Sequence, residues 1–477
     1  MKSYKILIFI VSVIAILAMA AVFFPKDGVQ IGKTSLHFPT IEEALMREPL
    51  EDVSALAFQD SVTREELNSL RDTLARYKEV LVGNTSLFSF PNDDVTYLDK
   101  LFDKMTLAKS QKRIIRVLHY GDSQIEMDRL SANLREFFQS KFGGGGPGML
   151  PAIQTIPSAV VSQHASGDLT AYAPYGDAGE RTRTGNYGIM AKSYRMGSSA
   201  TINIYASKHR YARERVKSFS SVKILVNDHS GKFKAKVRAK GIARDYVLES
   251  PGEGIQLLEC HLDSPATKLA LNLTGSSDIY GIMVDDGYGV NVDNIPLRGC
   301  SGTIFTQINE AVLQQGYELA DVGLILLQFG GNSVPALYSD ASIQRFVETT
   351  TRQIQYIKRL CPQASVIFIG PSDMSTRKGG GKLRTYPCLP KLIDGLKAAA
   401  LQNGICYWDL YQAMGGENSM LQWVSAGLAG PDYIHFTPKG AEKMGEIMAD
   451  SFEEVYSFYQ MRKNVDKTQL DTLWNAK

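Results

Sequence analysis

With 477 residues the chain is too long for one simple core and has the length of about two to four folding units. Its hydrophobic content of 44% and charged content of 21% are ordinary for a globular protein. A net charge of +2, from 52 Lys and Arg spread against 50 Asp and Glu, leaves no clustered basic footprint, so nucleic acid is excluded as a partner.

At the N-terminus Lys2 and Lys5 precede residues 6–24, an uncharged and largely apolar run of 19 residues. At ~1.5 Å rise per residue this is about the length that spans a bilayer core, and the lysines set the cytoplasmic side. A signal peptide cut at Ala18-Met19-Ala20 is the rival reading, but the apolar run continues through Val22, Phe23 and Phe24, where a cleaved peptide would turn polar. Residues 1–24 are therefore read as an uncleaved membrane anchor. With or without cleavage the remainder lies outside the cytoplasm, in the cell envelope, and a cleaved chain would be periplasmic.

Residues 25–112 read as a spacer and a helical extension. Mixed polarity runs to about residue 56, and the Thr63-x-x-Glu66 spacing is a capping box for a helix ending near Val82. Val95, Leu98, Leu101, Phe102 and Met105 repeat the helical period across residues 93–109. From Ile114 strands and helices alternate: strands at 114–119, 324–329, 366–369 and 405–410, helices at 125–142, 341–360, 390–402 and 438–459. Nearly continuous apolar strands alternating with helices predict an α/β fold whose parallel sheet is covered on both faces.

Between the two parts of this domain, 113–164 and 294–460, the pattern changes. Across 165–293 helices vanish and six short period-two strands, among them "SVKILVN" and "TKLALNLTG", are separated by Gly, Asp, Ser and Pro turns. This predicts an inserted all-β sandwich. A tail, 461–477, has no reading. Five cysteines, Cys260, Cys300, Cys361, Cys388 and Cys406, form no Cys-x-x-Cys pair, which argues against a zinc site and a disulfide framework. No metal or cofactor is expected.

Four short stretches carry the chemistry. In "HYGDSQIEM" a strand turns into a helical pattern at Ser123, placing a hydroxyl at the carboxyl edge of a parallel sheet and at a helix N-terminus that favours a developing anion. Alone, this serine reads more readily as a simple helix cap. In "DYIHFTPKG" Asp432 stands three residues before His435, where a carboxylate can hold one ring nitrogen and leave the other free to take a proton; Thr437 and Pro438 then announce a helix. In "LLQFGGNSVP" Gly330 and Gly331 deliver Asn332, an amide donor, at the same sheet edge. In "RGCSG" Gly299 or Gly302 offers a backbone donor for an oxyanion hole.

The order "GDSQ", "GCSG", "GGN", "DYIH" resembles the four blocks of the SGNH, or GDSL-type, hydrolases across residues 114–163 and 293–459. The resemblance implies a flavodoxin-like three-layer α/β fold in which Ser123 is the nucleophile, His435 its base and Asp432 the orienter of that base. Gly302 and Asn332 would be oxyanion donors beside the Ser123 N–H; Gly299 and Gly302 both fit the second block, and Gly302 is taken because a helix start follows it. Gln124 replaces the leucine of the family's commonest first block, a position without direct chemical duty.

The blocks alone imply acyl transfer to water. The glycine-rich "FGGGGPGMLP", which lacks a P-loop lysine, the β-insert and the return through "VDNIPLRGCSG" resemble the layout of peptidoglycan O-acetylesterases, whose insert is similar to a carbohydrate-binding module. An acetylated polysaccharide such as peptidoglycan is the partner this implies. Lys232, Lys234, Lys236, Arg238 and Lys240 would make one strand face basic, either toward an anionic glycan or as a solvated edge strand. Tyr172, Tyr175 and Tyr187 are candidates for stacking on sugars. The other functions considered are acetyl transfer onto a glycan with the same residues, and a non-catalytic, membrane-anchored glycan-binding protein.

Overall fold

The computed structural model describes residues 3–25, 28–31, 34–36, 53–210, 212–248, 254–377 and 381–475. Lys2 and most of the expected spacer lie outside the described residues. The chain divides into two units, Met1–Leu74 and Ala75–Lys477.

The first unit holds the helix Ser3–Phe23, a short antiparallel pair, Val29–Ile31 with Thr34–Leu36, and the start of the helix Val53–Val82. The anchor expected over residues 6–24 needs correction. Among the described residues no helix is long and apolar enough to cross a membrane. The capping box at Thr63 is also not the start of a helix: the helix begins ten residues earlier, at Val53, and Thr63 lies inside it.

In the second unit the strands run in the order Gly289–Pro296, Ile114–Gly121, Val322–Gln328, Ser365–Ile369, Cys406–Trp408, with Phe88–Ser89 closing the edge. The first five are parallel and the last is antiparallel, so the sheet is mixed. Strand interiors are mostly apolar because both faces are covered, with Arg116, His119 and Asp293 as buried exceptions. Leu118, Tyr120, Ile325, Leu327, Val366, Phe368 and Tyr407 pack with Leu313, Ile354, Ile357, Leu392 and Leu396 from the helices Glu310–Leu319, Asp340–Leu360 and Leu389–Gln402. On the other face lie Asp99–Ala108, Ser131–Phe142 and Pro438–Lys463. There Phe138 packs edge-on against Phe452 with ring centroids 5.4 Å apart. The last helix is longer than its apolar period suggested. Arg462 donates to both Asp99 oxygens at 2.6 and 2.7 Å, and Trp474 of the helix Lys467–Asn475 stacks against Phe458.

The first parallel strand in sequence lies between the second and the third, and this reversal opens a crevice at the carboxyl edge. Between the first two strands the chain builds a nine-stranded antiparallel sheet from Gly148–Leu150 to Ser277–Asp285. The long strand Ser193–Ala206 joins its halves by pairing with both Lys268–Thr274 and Ser277–Asp285. Ile202, Leu271, Val237, Ile224, Leu258 and Ile282 point into one shared core. The basic strand Lys234–Ala239 has Ala235 and Val237 buried and Lys234 and Arg238 exposed, as its alternation predicts. It is not an edge strand, since it pairs with Ile242–Val247 on one side and Lys268–Thr274 on the other.

A buried ion cluster fastens the antiparallel sheet to the parallel one. Arg116, wholly buried, donates to Asp293 at 3.0 and 3.2 Å and to Asp285 at the end of the last antiparallel strand. Asp293 also accepts the Met149 N–H at 2.7 Å, and Asp285 that of Gly287 at 2.9 Å. All five cysteines are free.

Candidate active site

Strand register brings three chain exits to one edge. Gly121 pairs with Pro296 on one side and Gln328 on the other, so the turns after these residues leave the sheet side by side. Ser123 begins the first turn, capped by Asp122, whose carboxylate accepts the Gln124 N–H at 2.9 Å. The helix expected from residue 125 starts only at Ser131. In between, Met127 and Asp128 take left-handed conformations, with φ of 61° and 55°. Partners hold them there: Glu126 receives a two-pronged bond from Arg298 at 2.6 and 2.7 Å, and Asp128 is paired with Arg135 at 2.8 Å. Ser123 therefore sits on a short 3-10 turn and not at the N-terminus of a long helix.

The loop carrying His435 is organised by one carboxylate. Asp432 Oδ1 accepts the backbone N–H of Ile434 at 3.0 Å and of His435 at 3.1 Å, while Oδ2 accepts the ring Nδ1–H at 2.8 Å. Burial works against the ionised form, but these bonds win and hold the Asp432 carboxyl below its ordinary range. With Nδ1 committed as donor, Nε2 is left as acceptor, and it lies 2.8 Å from Ser123 Oγ. Serine, imidazole and carboxylate thus form one continuous hydrogen-bonded line.

Asn332 follows Gly330, whose φ of 121° only glycine adopts without strain. Its Nδ2 donates to the Cys300 carbonyl at 3.1 Å and to Asp122 Oδ2 at 3.3 Å, so the amide faces the serine turn. Gly302 stands apart. It is buried against the Phe329 ring, its N–H donates to Cys300 Sγ at 3.3 Å, and it does not line the pocket around Ser123. Gly299 is exposed. The pocket walls are Phe329, Asn332, Pro335, Pro371, Met374, Leu410 and Ile434.

The GDSL-like lipase/acylhydrolase family model matches residues 272–443. Among solved structures, a peptidoglycan O-acetylesterase aligns over 78% of this chain and 100% of its own, with a TM-score of 0.61 at 21% identity. Residues 272–443 thus resemble a GDSL-like acylhydrolase, and the chain shares the fold of that esterase. A family two carbohydrate esterase from Clostridium thermocellum, solved with cellohexaose, is 8% identical over 61% of this chain and 99% of its own, with a TM-score of 0.25. Another from Cellvibrio japonicus is 11% identical over 66% and 100%, with a TM-score of 0.23. No curated protein matches the chain.

The family match leaves Ser123 outside, on a turn that precedes the antiparallel sheet in sequence. In space the strand before that turn is the hydrogen-bonded neighbour of both the second and the third.

Two residues of the site have more to do than their sequence positions announced. Gln124, expected to be idle, donates its amide to the Ile434 carbonyl at 2.7 Å and accepts the Phe436 N–H at 3.4 Å, clamping the chain on both sides of His435. Gln124→Leu, which restores the commoner family residue, is expected to lower kcat roughly tenfold through a misplaced imidazole. Steady-state kinetics check this, and an unchanged kcat would refute the clamp.

Asp122 is the other. Burial lifts its carboxyl from 3.8 to about 6, against the Gln124 N–H and the nearby His435. Between those values the folded chain holds a proton that the unfolded chain has lost, so stability falls as pH rises through this window and the penalty stays in full above it. At about 1.4 kcal/mol per pH unit it grows to roughly 3 kcal/mol. Asp122→Asn, uncharged throughout, should therefore gain about that much on the wild type between about pH 3.5 and pH 7. Denaturant titrations at both pH values measure the gap; a constant gap contradicts the assignment.

Tyr187, one of the expected sugar-stacking residues, is buried with its hydroxyl accepting the Thr182 N–H at 2.9 Å, and is unavailable for that role. Tyr172 and Tyr175 pack against the parallel-sheet core and remain half-buried.

Proposed function

We propose that this hydrolase removes acetyl groups from a cell-envelope polysaccharide, with O-acetylated peptidoglycan as the substrate. The observation that carries the chemistry is the line from Ser123 Oγ through His435 to Asp432, opening beside the Asn332 amide. Ser123 Oγ attacks the acetyl carbonyl while His435 Nε2 takes its proton, and the resulting oxyanion is met by the Ser123 N–H and the Asn332 side chain. Gly302, which does not line the pocket, shapes the donor loop. The tetrahedral intermediate expels the sugar oxygen, which receives the proton from His435. Water then repeats the sequence on the acyl-enzyme and releases acetate.

The glycan part of the reading is supported by the shared fold of the peptidoglycan O-acetylesterase, whose whole length the alignment covers. Lysine followed by a long apolar run at the N-terminus supports an extracytoplasmic location, where such a glycan is found.

The test is acetate release from O-acetylated peptidoglycan and from an aryl acetate by the full chain. Release from both is expected. Release from the aryl ester alone would keep the serine hydrolase and reject the glycan.

A further inference from the structure

A second groove opens next to the pocket around Ser123, and two wall segments run from one into the other. After Asn332 the turn Gly331–Ala336 carries Pro335, which lines both, and the chain continues to Tyr338 in the groove alone. Opposite, Met374 lines the pocket and Thr376 the groove. The groove is a held shape. The Tyr386 N–H donates to the Met374 carbonyl at 3.0 Å, and Cys388 Sγ reaches the Val334 carbonyl at 3.5 Å. Immediately after Tyr338, Ser339 and Ser342 form a reciprocal capping box at 3.0 and 3.2 Å that fixes the start of the helix Asp340–Leu360.

The floor is apolar, from Val334, Leu337 and Ile343, while Tyr338 rises from it with 73% of its surface exposed. The rim carries Thr376 and the ion pair Lys391–Asp340 at 2.5 Å, so the described lining residues leave no net charge. A pyranose ring has this complement: a C–H face that packs on an aromatic or aliphatic surface, and a hydroxyl edge that needs polar groups or water. A fatty acyl chain would instead need a dry channel, and an anionic group would need an unpaired cation.

Resting on the proposed glycan esterase, we infer that this groove is a subsite for the uncharged sugar ring next to the acetylated one, with Tyr338 as its stacking platform. Continuity over Pro335 lets one glycan chain present its ester to Ser123 while the neighbouring ring lies on Tyr338. The subsite selects polymer over small esters.

The test compares wild type, Tyr338→Ala and Tyr338→Phe on O-acetylated peptidoglycan, an aryl acetate and an aryl octanoate. Tyr338→Ala is expected to raise KM for the glycan and to lower the ratio of glycan to aryl acetate kcat/KM roughly tenfold, with kcat on the glycan kept. Tyr338→Phe, which keeps the ring, should keep the ratio. An unchanged ratio in Tyr338→Ala, or a loss confined to the octanoate, would overturn the subsite. A wild type that cleaves aryl acetate and releases nothing from the glycan would overturn the proposed function itself, and is visible before any variant is made.

Discussion

Ser123→Ala is expected to lower kcat on any acetyl ester by roughly 10⁴-fold or more while leaving the fold and KM nearly unchanged. The Ser123 hydroxyl is the one bonded to the imidazole, 2.8 Å from His435 Nε2, and so is placed to attack. What survives should be the small residual rate that oxyanion donors and binding give to direct attack by water. His435→Ala should fall as far, because a serine without its base is a poor nucleophile, and the double variant should be no worse than either alone. Additive losses in the double variant would mean that the two residues do not act as a unit. The side chain at 123 is small and only partly buried, so unfolding cannot mimic the result.

Arg116→Met is expected to destabilise the chain by about 3–5 kcal/mol, the cost of leaving a buried charge without its partner. Here two carboxylates, Asp285 and Asp293, would be stranded where no water reaches. Burial already raises the Asp293 carboxyl despite the arginine beside it, which shows how much the site resists negative charge. Adding Asp285→Asn and Asp293→Asn should recover most of the loss, since an amide oxygen can still accept the Met149 and Gly287 N–H groups. A single variant within about 1 kcal/mol of wild type by denaturant titration would show that the cluster does not fasten the two sheets.

The sequence disclosed what is local or periodic. Apolar strands such as Val322–Gln328 announced a doubly covered sheet, Thr437 before Pro438 marked a helix whose cap accepts the Gly440 N–H, and Asp432 reached His435 because three residues separate them. Long-range partners decided the rest. Nothing near Met127 or Asp128 says that they turn left-handed, since Arg298, which grips the neighbouring Glu126, comes from far along the chain. Gln124 could be read only as a departure from a motif until the His435 loop was folded against it. Arg116 interrupts a mostly apolar strand, and its two acidic partners, Asp285 and Asp293, come from far along the chain. Gly302 fitted by spacing, but spacing does not say where an N–H points.

The central claim is that Ser123 is the nucleophile of the line it forms with His435 and Asp432. Its most direct test is reaction of the full chain with a fluorophosphonate, followed by peptide mass spectrometry. One covalent adduct on Ser123, lost in Ser123→Ala and strongly slowed in His435→Ala, is the predicted result; an unlabelled Ser123, or an adduct that forms equally fast without His435, would contradict it.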